Sequence, residues 1–141
     1  VTDYVSQIEN ALHGKLSDMP PGVSVAWPGL RFEPSNATPY LRVEVLHAPL
    51  RAGQLIGSDA QVYRSGSYII TAVYPISQGP GPLRAKIAAL EAQFARRSRI
   101  SAGTSPNDFF VILSAHQRGQ LITEDGWNSM PLTVSWWCLH P

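Results

Sequence analysis

The chain has 141 residues, a length one domain of ordinary size fills, and 11 lysines and arginines against 10 aspartates and glutamates leave a formal net charge of +1. So near-neutral a balance creates no field that would make nucleic acid or an anionic membrane the default partner. Cys138 is the single cysteine, which excludes an intramolecular disulfide and argues against the usual four-ligand Cys/His zinc site. No apolar run reaches the roughly 18 to 20 residues of a membrane span, and the first residues do not pattern as a signal, so the chain reads as soluble and unexported.

In chain order, Val5, Ile8, Leu12 and Leu16 recur at spacings of three and four, predicting a first helix with Thr2 or Asp3 at its start. Pro20 and Pro21 end it. Alternation in "VSVAW" and "YLRVEVLHA" predicts two strands, the second placing Leu41, Val43 and Val45 opposite to Tyr40, Arg42, Glu44 and Leu46. From Ala48 to Ala60 no period persists, which predicts a long loop. Ser65-Gly66 inside "QVYRSGSYIITAVYP" reads as the turn of a hairpin.

Leu83, Ile87, Leu90 and Phe94 then form the stripe of a second helix, with Pro82 expected at its first position and Arg96, Arg97 and Arg99 in or just past its last turn, complementing the dipole. "FFVILSA" and "PLTVSWWCL" read as closing strands, and Gly119 and Asp125-Gly126 as turn signals between them. Helix, strands, helix, strands is the order of a single α+β domain over residues 1–141. Its sheet should be mixed and mostly antiparallel, with two helices packed on it.

Candidate chemistry is sparse. Gly79-Pro80-Gly81-Pro82 resembles a phosphate loop only in its glycines, because two prolines delete the N–H donors an anion cradle needs. Cys138 and His140, two apart on one strand, could form a thiolate nucleophile and its base, yet they sit in an apolar alternation with a histidine expected to fray. That pair, or carboxylates brought together by the fold, would make a small enzyme. The histidines show no metal-ligand spacing, and no cofactor motif is present, so no metal and no cofactor are expected. Arginines over 96–99 cannot all share one helix side, which argues against sequence-specific nucleic-acid binding. Trp136 and Trp137 leave opposite faces of a strand: one fills a core, and the other needs a second layer, another chain, or a half-wet face.

The sequence of a helix, "YLRVEVL", a long loop, "YRSGSYIITAVYPISQGPG", "LRAKIAALEAQF" and "DGWNSMPLTVSWW" resembles the tail-terminator proteins of long-tailed bacteriophages, from Tyr4 to Trp137. The resemblance implies a non-enzymatic virion tail protein of a phage or prophage, assembled in the host cytoplasm. Its expected partners are further copies of itself, as a hexameric ring, the tail tube protein, and the head-completion or connector protein. By the same analogy Tyr40, Arg42, Arg64, Tyr74, Arg84 and Trp137 are candidates for subunit or tube interfaces. A different neck or connector protein of the virion shares this interface logic.

Overall fold

The computed structural model describes residues 3–18, 23–34, 38–50 and 62–141. Helix α1 (Tyr4–Ser17) begins where Asp3 caps it, the carboxylate accepting from the Ser6 amide at 3.1 Å and the Ser6 hydroxyl at 2.6 Å. Ile8, Leu12 and Leu16, one turn apart, form its buried side. Helix α2 (Pro80–Gln93) buries Leu83, Ile87 and Leu90 and is followed by a fully buried Phe94. Pro80, rather than Pro82, holds its first position: Gly79 at φ 71° turns the chain sharply, and an N1 residue has no intrahelical partner for an N–H to lose.

Strands β1 (Ser24–Ala26), β2 (Tyr40–His47), β3 (Val62–Pro75), β4 (Arg99–Ala102), β5 (Phe109–Arg118), β6 (Ile122–Glu124) and β7 (Trp127–His140) form one sheet. Its order is β1-β2-β3-β7-β5-β4, with β6 pairing the start of β7. Only β1 against β2 is parallel, so the α+β, largely antiparallel expectation holds. The backbone of the fold is the β3–β7 pair, in register from Val62↔His140 to Pro75↔Trp127. Asp125 at φ 51° and Gly126 at φ 83° make the two-residue hairpin turn into β7 that an Asp-Gly pair favours.

Two local expectations fail, each for a tertiary reason, and the arginines after α2 take the outer of their two expected places. Ser65-Gly66 is no turn: both lie inside the continuous strand β3. Gly66 is there because a Cβ would sit 2.7 Å from Trp136 Cζ2 and closer still to the Leu46 carbonyl oxygen. The arginines after α2 lie beyond its last turn; Arg97, at φ 68°, reverses the chain into β4 with its amide donating to Leu113 O at 2.7 Å. His140 is not frayed. It is 2% exposed and stacks on Tyr4 at 3.9 Å between ring centroids. Of the expected 48–60 loop, residues 48–50 are exposed and the rest lies outside the described residues.

Alternation divides the sheet into two unlike faces. One carries Val43, Tyr68, Ile70, Leu132, Val134, Trp136 and Cys138, which merge with the apolar sides of both helices into a single core. The other face is free of helices among the described residues, and it presents the opposite members of each strand.

Candidate interaction surface

On the helix-free face the two central strands contribute Tyr63, Ser65, Ser67, Ile69, Thr71, Val73 and Pro75 from β3, and Trp127, Ser129, Pro131, Thr133, Ser135, Trp137 and Leu139 from β7. None of these is ionisable at neutral pH. Among the described strand residues of this face charge appears at the periphery, with Arg42 and Glu44 on β2, Arg99 on β4 and Glu124 on β6 beside the start of β7. A centre without charge inside a charged periphery is the charge distribution found at protein interfaces.

Rings cluster at both ends of this face. Tyr40 contacts Phe32 at 5.0 Å and Trp127 at 5.8 Å, a group that covers Val73 to 4% exposure. At the other end Trp137 stacks on Tyr63 at 6.0 Å. Intramolecular packing therefore accounts for part of the burial of these rings. It leaves Leu46 (51% exposed), Phe110 (51%) and Leu139 (40%) largely uncovered.

The structure gathers three of the six candidate residues, Tyr40, Arg42 and Trp137, on this face. Tyr74 is turned into the core at 6% exposure, and burial raises its phenol above the ordinary value. Arg84 is exposed on α2, away from the sheet surface. Arg64 shares the row of Cys138 on the core face, at the strand end, where its Nε donates to His140 Nε2 at 2.7 Å. Leu46, Phe110, Ile112, Leu139 and Arg99 were missed. The consecutive pair Phe109-Phe110 carried the same signal as Trp136-Trp137, two rings sent to opposite faces.

The Cys138–His140 pair is not arranged for catalysis. Cys138 is fully buried, and burial pushes its thiol up to about 11. Burial lowers the basicity of His140, and both of its ring nitrogens are occupied, Nε2 by Arg64 and Nδ1 by the Pro141 carbonyl at 2.9 Å. Among the described residues no three His, Cys, Asp or Glu side chains group to hold a metal. An open cavity of about 320 Å³ runs between α1 and β4, lined by Gln7, Asn10, Ser101, Gly103 and Thr104 among others, with no titratable side chain.

A solved structure of a chain of similar length superposes with a TM-score of 0.74 at 25% identity, covering 94% of this chain and 94% of that one. No curated protein matches the sequence. A family model described as phage tail terminator protein matches residues 7–136, nearly the whole chain. The chain therefore belongs to the phage tail terminator family, structural proteins of phage tail assembly.

Proposed function

We propose that this protein closes the growing end of a phage tail tube as a ring, commonly a hexamer, stopping addition of tube subunits and offering the surface to which the head-completion protein joins. The family match over residues 7–136 carries the reading. The neutral face with charged lateral margins supports it, since a subunit in a closed ring must present two different flanks, one to each neighbour. The mechanism is geometric: one side of the ring copies the acceptor surface of a tube subunit, and the other side lacks the next donor surface. Arg42 and the Tyr40 and Trp137 ring clusters are the candidate contacts on the helix-free face; Arg64 and Arg84 lie on other surfaces.

Tails purified from a lysate and labelled for this chain should carry it at the head-proximal tip alone, and depletion of the chain should give tubes of uncontrolled length that do not join heads. Tubes of normal length in its absence would refute termination. Label at a position between tube and head on tails that stop correctly without it would assign the chain to the neck instead.

A further inference from the structure

Building on the ring reading, we infer that neighbouring copies join by edge pairing, strand β2 of one copy adding in parallel to strand β4 of the next, with Glu44 beside Arg99. The sheet has two lateral margins. On one, β1 covers β2 only from Tyr40 to Arg42, and among the described residues no strand pairs with Val43–His47 on that side. On the other, among the described residues, β4 is paired through β5 alone. The open stretches are of like length and free of proline, and the charges they carry, Glu44 on one and Arg99 on the other, are opposite in sign, so each edge deters a copy of itself more than it deters the other.

Direction and register follow from the topology. Every neighbour along β2-β3-β7-β5-β4 is antiparallel, so β2 and β4 of one copy point the same way. Rotation about a ring axis along the strands preserves that direction, which makes the joint parallel. Setting Glu44 beside Arg99 places Val45 beside Ile100 and Leu46 beside Ser101. Val45 and Ile100 are both half-buried flanks of the core, so they meet on the helix side. On the other side Leu46 approaches Phe110 across the small Ser101, which is Phe110's own register partner, and Arg99 already lies over the Phe110 ring at 5.8 Å. The two most exposed apolar side chains of this face, each 51% exposed, are thereby covered together. A slip of one residue would send all of them to the wrong faces.

The offset between the margins also fits closure. Arg99 is level, through Ile112 and Trp137, with Ser65, which lies one position beyond the His47↔Gly66 pair. Joining it to Glu44 shifts the next copy by four residues, about 13 Å, over five strand spacings of about 24 Å in all. The strands then tilt by about 28° from the axis, in the same sense as, and somewhat less than, the roughly 35 to 45° of closed barrels.

Adjacent parallel strands bring paired Cα atoms to about 4.8 Å, within disulfide range, whereas the two positions in one copy are four strands apart. The test uses Glu44→Cys/Arg99→Cys in full-length protein, with each single variant as a control, oxidised in purified tails. The double variant should give a ladder of covalent oligomers at the tip and the single variants should not. Alongside it, Arg99→Glu and Glu44→Arg should each lower tip occupancy about tenfold, and the two combined should restore it. A chain found at the tip with no ladder and no charge-swap rescue overturns edge pairing while the capping reading stands. A chain absent from the tips in its natural sequence overturns both.

Discussion

Gly66→Ala should be among the most damaging single-methyl additions available in this chain. The new Cβ would lie 2.7 Å from Trp136 Cζ2 and nearer still to the Leu46 carbonyl oxygen, where carbon contacts settle at about 3.5 to 4.0 Å. Neither neighbour can yield easily. Trp136 is 1% exposed, and the Leu46 carbonyl belongs to the last turnless pairs of β2 with β3, Leu46↔Ser67 and His47↔Gly66. Relief of about 1 Å requires β2 to peel from β3 at that end, with loss of the adjoining Ala48 amide to Ser65 carbonyl bond of 2.9 Å, or rotation of the largest core side chain. Overpacking of a rigid core costs about 1 to 3 kcal/mol, and the backbone clash puts this case near the upper end, about 3 kcal/mol. In urea, with a slope of about 2 kcal/mol/M, the unfolding midpoint should fall by about 1.5 M at unchanged slope. A midpoint within about 0.2 M of the parent, roughly 0.4 kcal/mol, would refute the close approach as the reason for this glycine and reopen a conformational one.

Acid should weaken the fold before any carboxylate titrates. Burial lowers the pKa of His13, bonded through Nδ1 to the Tyr68 hydroxyl at 2.8 Å, and of His140. The unfolded chain therefore takes up protons first, so stability is full above the ordinary histidine value of 6.5 and declines as pH falls through it. Urea midpoints between about pH 7.5 and 5.5 should drop, and His140→Gln should flatten the slope; a midpoint that rises on acidification would contradict the assignment. Cys138, buried with its thiol at about 11, should react with a disulfide reagent at pH 8 over a hundredfold more slowly in the native than in the urea-unfolded chain, with a native rate that follows global unfolding. Equal rates would mean the C-terminal strand opens on its own.

Much of the fold could be read from periodicity because the relevant contacts repeat. Ile8, Leu12 and Leu16, then Leu83, Ile87 and Leu90, mark helix sides by spacing alone, and Asp125-Gly126 names its turn by backbone preference. The failures sit where the deciding neighbour is distant in sequence. Gly66 signals freedom of backbone and of space with the same letter, and only Trp136, paired to it across β3 and β7, shows that space is the reason. His140 reads as a terminal residue until Tyr4 and Arg64, both over 70 positions away, close around it. Strand β4, four residues between two turns, is too short for alternation to register, and with it the second lateral margin of the sheet stayed hidden. Interface candidates chosen as tyrosine, tryptophan and arginine take in Tyr74, a core residue, and pass over Leu46 and Phe110.

Phe110 and Trp137 separate what this face does for its own fold from what it does for a neighbour. Both are large aromatics on one side of adjacent strands, Phe110 half exposed and Trp137 stacked on Tyr63. Removal of the Trp137 ring strips contact from Tyr63 and Ile112 within the same chain, so Trp137→Ala should cost about 2 kcal/mol of stability, at the low end for an aromatic because the ring is only partly buried. Phe110 has little to lose: Phe110→Ser should change stability by about 0.5 kcal/mol or less, as for exposed positions generally. If the apolar excess at the sheet margins exists for assembly, Phe110→Ser should nevertheless reduce occupancy of the tail tip more than Trp137→Ala does among correctly folded molecules. The reverse ranking, with Trp137 dominating assembly and Phe110 neutral, would move the contact from the edges of the sheet to its centre.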